Sequence, residues 1–228
     1  MNRIRSGAQA LALAVALGLT VMIPHRAEAQ GNVARYREAK NRIYTSFGLD
    51  PALVGTVGYG RVMGLFGHPF EFTGDIALAA AHLDTRDFRA QLGAHTSIVR
   101  VGSVHLTGSA TFITRGTENS VYRALDFGSD FTGTLGFYRH RWFAAGELGF
   151  DKDIITHITH SDWYRENYYP DAKDGWYLDA GGVWHYGAQA GLAIGRVEVS
   201  ARFGWQKTEN WKDLASPLYG SLGVAVGF

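Results

Sequence analysis

Cysteine is absent from the 228-residue chain, and proline occurs only five times. Without thiols an exported protein forms no disulfides and takes no lipid on an N-terminal cysteine, so whatever holds this fold together is non-covalent. Scarce proline beside 29 glycines of no fixed period excludes collagen-like and linker-like chains and suits many strands with tight bends. An excess of one charge is also lacking, since 22 basic residues face 21 acidic ones, and this gives no electrostatic case for a nucleic-acid partner. Phosphate-cradling glycine loops, HExxH and nucleophile elbows are missing too, so no cofactor or resident metal is called for.

What is present begins with an export signal. Arg3 and Arg5 precede an apolar run from Ala8 to Ile23, and Ala27-Glu28-Ala29 then precedes Gln30. This reads as a signal peptide over residues 1–29, cut after Ala29, which directs the chain through the Sec pathway. The apolar run is short for a spanning helix, which needs about 20 residues. Cleavage leaves a chain with one more acid than base. No later stretch is long and apolar enough to cross a membrane as a helix.

The remainder alternates with period two, apolar on one face and polar on the other. In WFAAGELGFD, Trp142, Ala144, Leu148 and Phe150 oppose Glu147 and Asp151. In FEFTGDIALA, Phe70, Phe72, Ile76 and Leu78 oppose Glu71, Thr73 and Asp75. In VEVSARFGWQ, Val197, Val199, Phe203 and Trp205 oppose Glu198, Ser200 and Arg202. Further on the same scheme, Phe88 and Leu92 oppose Arg89 and His95, Leu106 and Phe112 oppose His105, Phe127 and Phe131 oppose Asp126 and Asp130, and Trp184 and Leu192 oppose Asp179 and His185. No charge falls on the apolar side of these segments.

A soluble sandwich also alternates. Here, however, large charges populate the polar face while aromatic residues end the apolar one. Trp142 and Phe150 are eight residues apart, which spans roughly 20 Å of height at about 3.4 Å per residue and a tilt near 40°. That is an apolar band between aromatic girdles. The links RVMGLFGHP, VRVGS, YRHR and IGR are short, and they alternate with the longer, more polar LDTRD, TRGTENSVYR, 152–175 and KTENWKDLASP.

With its signal peptide, strands of about ten residues, and a final strand placing Leu218, Leu222, Val224, Val226 and Phe228 on one face, the chain resembles the Gram-negative outer-membrane β-barrel proteins. The resemblance covers Ala52 to Phe228. It implies an all-β, up-and-down antiparallel transmembrane barrel over residues 51–228, seated in outer-membrane lipid. It also implies an assembly signal, formed by Tyr219, Leu222, Val224, Val226 and Phe228, for the barrel-assembly machinery. The resemblance is to the class and carries over no catalytic or binding residue.

Nine strands are evident, whereas such a barrel needs an even number. Residues 30–50 supply the alternatives: a weak first strand in NRIYTSFG, giving the preferred ten strands, or a short helix with Tyr36, Ala39, Ile43 and Phe47 on one side, leaving eight. The polar face would line the lumen with Glu71, Asp75, Arg89, His95, His105, Asp126, Asp130, Glu147, Asp179, His185, Glu198 and Arg202. Barrels this narrow hold only side chains, so a salt-bridged, non-conducting core is one reading. A narrow, cation-preferring channel for small solutes or ions is the other, because acids outnumber the arginines.

Residues 152–175 read as a long outer loop. It holds His157, His160 and Asp162, then Trp163, Tyr164, Tyr168 and Tyr169. Three chemistries fit those residue types. A His pair three apart with a carboxylate would ligate zinc if helical; His160 beside Ser161 resembles the Ser–His chemistry of lipid A hydrolases found in small barrels; and exposed aromatics on a rigid scaffold suit recognition of a surface or envelope partner. The expectation is a non-enzymatic barrel whose loop takes the last role.

Overall fold

In the computed structural model, residues 31–49, 53–79 and 86–228 are described. The expected signal peptide, residues 50–52 and most of the LDTRD link lie outside them. Alternation produces ten strands: β1 Asn41–Leu49, β2 Leu53–Leu65, β3 His68–Ala79, β4 Phe88–Val101, β5 Val104–Glu118, β6 Tyr122–Arg139, β7 Trp142–His160, β8 Gly175–Ile194, β9 Val197–Thr208 and β10 Asp213–Gly227. The segment NRIYTSFG is therefore a strand, and the helical alternative shrinks to one 3-10 turn, Val33–Arg35.

Each strand pairs antiparallel with its sequence neighbour, and β1 closes on β10, with Ile43 opposite Val226 and Phe47 opposite Leu222. Within the lipid band closure leaves no strand edge unpaired among the described residues, as a lipid surround requires. At one end, where β1 starts and β10 finishes, four links have two residues each: Phe66-Gly67, Gly102-Ser103, His140-Arg141 and Gly195-Arg196. Phe66 and Gly67 both take positive φ, 52° and 79°, as a type I′ hairpin demands. This is the periplasmic end of an outer-membrane barrel.

The outer wall is largely apolar from those turns to about eight residues up the strands, with Arg61 of β2 a charged residue on its outward face. Leu92, Val57 and Leu222 are each about two-thirds exposed, an arrangement that only a lipid surround makes favourable. On β7–β10 the band ends in a contiguous aromatic belt: Phe150 lies 4.6 Å from Trp184, Trp184 5.8 Å from Trp211, Tyr186 6.2 Å from Trp205 and Phe203 5.1 Å from Trp205. Directly above it stands a charged collar in which Lys152 pairs with Asp179 and Glu209, and Lys207 with Asp213.

The strands are unequal. β1 has 9 residues, while β6, β7 and β8 have 18, 19 and 20, so one side of the barrel rises past the collar as a three-stranded wall. Residues 152–175 are accordingly not the loop that their charges suggest. β7 runs through His160, and only 161–174 leave the sheet, with a short helix α1 at Asp162–Asn167. A β-bulge between Asp153 and Ile155 shifts the alternation by one residue, which hides the strand from a period-two reading. TRGTENSVYR is likewise mostly strand, turning only at 119–121, where the Asn119 side chain accepts from the Val121 and Tyr122 amides.

Candidate functional site

Three tiers of polar side chains fill the lumen. At the periplasmic mouth the chain before β1 folds inward. The Asn32 amide N–H donates to Glu198 (3.2 Å) and its side-chain amide to the Arg139 carbonyl (2.7 Å), while the Arg35 guanidinium donates to the Gly195 carbonyl. Tyr36 reaches deeper. Its hydroxyl lies 2.9 Å from Glu71 Oε2 and 2.5 Å from His95 Nδ1, and Arg42 braces Glu71 at 2.9 Å. Val33 and Tyr36 pack with Tyr138, Phe143 and Ala145 into the apolar cluster that seats this plug, so burial as well as hydrogen bonding holds it.

The middle tier crosses the lumen. Arg202 Nε donates to both oxygens of Glu147, at 2.6 and 2.8 Å, the Tyr219 hydroxyl donates to the same carboxylate, and the guanidinium lies over the Tyr219 ring. His185 continues the chain, 3.5 Å from Arg202 and 3.1 Å from Asp130, which also accepts from Thr132 at 2.7 Å. On the opposite wall a hydroxyl run links His95 to Thr107 at 3.0 Å, then Thr134 and Tyr138 in steps of 2.6 Å. Tyr44 donates to Asp75 at 2.8 Å, and Ser97 lies 3.0 Å from His105.

The outer tier gathers three carboxylates around one cation. Arg115 reaches Asp126 at 2.9 Å, Asp151 at 2.5 Å and Asp153 at 2.6 Å, with Thr156 donating to Asp126 at 2.7 Å. Between tiers the described residues leave small cavities. One of about 30 Å³ lies beside Arg42, Asp75, His95 and Thr111, and one of about 40 Å³ lies beside the plug, room for a water or two in each.

Of the twelve expected lumen residues, eleven are buried inside: Glu71, Asp75, Arg89, His95, His105, Asp126, Asp130, Glu147, His185, Glu198 and Arg202. Asp179 is the correction. Its side chain is 73% exposed and sits in the outer collar, because its φ of 59° turns the strand there. Odd-numbered in a strand whose even positions face lipid, Tyr219 is buried inside against Glu147, apart from outward Leu222, Val224, Val226 and Phe228. Arg42, Tyr44, Arg115 and Asp153 join the site although they were not singled out. Alternation continued past Ile113 finds Arg115, and continued past Asp151 it finds Asp153, which lies just before the bulge.

Above the wall, Ser161 caps α1, accepting from the Tyr164 amide at 3.1 Å, and its hydroxyl donates to the Ser120 carbonyl at 2.6 Å. The neighbouring His160 turns elsewhere, with Nδ1 3.1 Å from Asp174 and its ring stacked on Tyr164. His157 packs on Trp176 in β8, and among the described residues no three His, Asp or Glu side chains are placed to hold a metal. Asp174 also accepts from the His160 amide at 2.8 Å and from Arg165 at 2.5 Å. Those donors, the backbone N–H foremost, hold its carboxyl down at about 2.

No protein-family model and no curated protein matches this chain. Among solved structures it is similar to the KdgM porin, with a TM-score of 0.42 and 6% identity over 82% of this chain and 99% of that one. It is similar to Ail of Yersinia pestis, with a TM-score of 0.38 and 11% identity over 83% and 97%. It is also similar to LpxR of Salmonella typhimurium, with a TM-score of 0.34 and 10% identity over 78% and 75%. Likeness this distant adds nothing about activity. The closed sheet, its lipid-suited exterior and its polar, charged interior make the chain a small outer-membrane β-barrel of ten strands.

Proposed function

We propose that this barrel is a closed, non-enzymatic scaffold whose lumen is filled and whose working surface is the β7–α1–β8 hairpin outside the membrane. The observation that carries the reading is the middle tier, where Glu147 and Arg202 meet with side chains 0% and 4% accessible. Buried charges so closely paired leave nothing to solvate a passing ion. The periplasmic plug stands in series with it. Recognition is placed outside because the hairpin stands on a rigid wall beyond the lipid band, where binding loops are usually presented. Export through the Sec pathway and folding by the barrel-assembly machinery belong to the same proposal.

Purified barrel in planar bilayers tests the closed lumen. A silent bilayer is expected, and a steady conductance would establish the cation-preferring channel instead. Mass spectrometry of lipid A from cells carrying the wild type, His160→Ala or Ser161→Ala tests the rest. Profiles should be identical, and a wild-type-dependent change lost in either variant would make the protein an outer-leaflet lipid enzyme.

A further inference from the structure

The end of the α1 hairpin carries Trp163, Tyr168 and Tyr169, each about half exposed. Large apolar rings left in water call for an occupant. Lipid is the usual one, but the geometry removes it here. Lys152 marks the collar above the lipid band, and β7 continues eight residues further to His160, which at about 3.4 Å per residue and a tilt near 40° sets α1 roughly 20 Å beyond the collar.

The rings are also held in place. Trp163 and Tyr168 stand 5.2 Å apart at 56° to one another, forming an open angle. Buried Tyr164 packs beneath Tyr168, its carbonyl accepts from the amides of both Tyr168 and Tyr169, and the Asn167 side chain donates to the Trp163 carbonyl at 2.8 Å. The Ser161 cap and the Asp174 ties to His160 and Arg165 anchor the whole turn to the wall. Binding would therefore order little that is not already ordered.

Size and charge select the occupant. Aromatic side chains offer about 150–250 Å² each, so three at half exposure present roughly 300 Å², well under the ~800 Å² per partner of a stable protein interface. A ligand that matches has a small apolar face and a polar edge, which describes the C–H face and hydroxyl rim of a pyranose ring. Residues 161–174 carry Asp162, Glu166, Asp171 and Asp174 against Arg165 and Lys173. That acidic rim repels sulfated, phosphorylated or uronic sugars and accepts neutral or amino ones.

We propose that the α1 hairpin is a saccharide-binding platform, with Trp163 and Tyr168 as the stacking faces, Tyr169 as a flanking contact, and neutral or amino pyranosides as its ligands. It rests on the reading of the hairpin as a recognition surface. The source of the sugar is a glycan from outside, since the core of the membrane's own lipopolysaccharide carries phosphate and carboxylate groups that the acidic rim repels.

The test uses the whole barrel in detergent micelles against an array of neutral, amino and sulfated oligosaccharides, followed by isothermal titration calorimetry with the best soluble hit and, separately, with lipopolysaccharide purified from the expression strain. Saturable binding of neutral or amino sugars is expected, at least tenfold weaker in Trp163→Ala and Tyr168→Ala, largely kept in Trp163→Phe, and unchanged in Trp142→Phe on the lipid band. Heat-modifiable gel migration verifies that each variant is folded. Binding by soluble neutral or amino oligosaccharides supports the outside source, and binding by lipopolysaccharide alone would overturn it. Absence of saturable sugar binding by the folded barrel, binding indifferent to both alanine variants, preference for sulfated sugars, or binding only to a protein would each overturn the proposal. A silent bilayer with no sugar binding leaves the closed scaffold standing without this ligand, whereas conductance removes the closed scaffold whatever the array shows.

Discussion

Replacing Arg202 with methionine keeps much of the volume of the side chain and removes its charge. In the wild type the guanidinium makes two short bonds to Glu147, whose side chain is inaccessible, and touches His185 and Tyr219. The variant leaves a carboxylate in the lumen without its cation. Breaking a buried pair in this way costs about 3–5 kcal/mol, far more than the ~0–1 kcal/mol of a water-screened surface pair. At about 1.4 kcal/mol per tenfold, the folding equilibrium should fall by roughly a hundredfold to several thousandfold. Urea titration of barrel reconstituted in lipid vesicles, followed by tryptophan fluorescence, measures it. Glu147→Gln combined with Arg202→Met removes both charges and should regain most of the loss, so the coupling between the sites should exceed about 2 kcal/mol. A loss below about 1 kcal/mol in Arg202→Met would mean that water screens the pair, and the filled-lumen reading would fall with it.

Plug and middle tier are two barriers in series. Deleting residues 31–38 should leave planar bilayers silent, and adding Glu147→Ser with Arg202→Ser should produce steady conductance; current from the deletion alone would place the whole barrier at the mouth. Asp174 supplies a pH dependence. Its carboxyl is depressed to about 2, below the usual ~3.9, so the hairpin tie is complete above that ordinary value and is lost as pH falls through the depressed one. Pepsin cleavage within 161–174 should accelerate between pH 4 and pH 2 relative to cleavage elsewhere, and Asp174→Asn should flatten that difference; a wild-type ratio that does not move with pH would refute it. Phe228→Asp puts a charge on the outward face of β10 at the membrane rim, next to the β1 closure. It should lower outer-membrane levels before altering any binding, and normal levels would count against the assembly role.

The lumen was legible in the sequence because strand periodicity is two, so one correctly assigned residue fixes the face of every other in that strand. Glu71, Glu147 and Arg202 follow from that alone. The same rule fails after a bulge, which is why the strand residues from Ile155 to His160 read as loop, whereas Asp153 precedes the bulge and continues the inward series of Glu147 and Asp151. At Asp179 it fails for a related reason, since a left-handed residue within β8 swings the side chain out of register. The plug was illegible for a different cause. Asn32 and Tyr36 act through contacts with Glu198, Arg139 and Glu71, more than thirty residues away in every case, and no local pattern encodes such a partner.

Two strained residues build the outer edge of the apolar band. Asp179 at 59° and Trp211 at 57° take left-handed backbone conformations that ordinarily cost about 1–2 kcal/mol for such side chains. They flank one spot. Asp179 reaches Lys152 from β8, and the turn holding Trp211 brings Glu209 to the same ammonium while laying the indole on Trp184 and Tyr186. The strain is offset by building, within one turn of chain, an amphipathic edge with rings below and charges above, the arrangement that an interface between lipid and water favours. Relieving it with Trp211→Gly should remove the indole and let the collar move, so brominated lipids should quench the remaining outer-belt tryptophans differently from wild type. An unchanged quenching profile would show that the belt formed by Phe150, Trp184 and Trp205 fixes the depth unaided. The height of the α1 hairpin above the membrane would then depend on strand length alone.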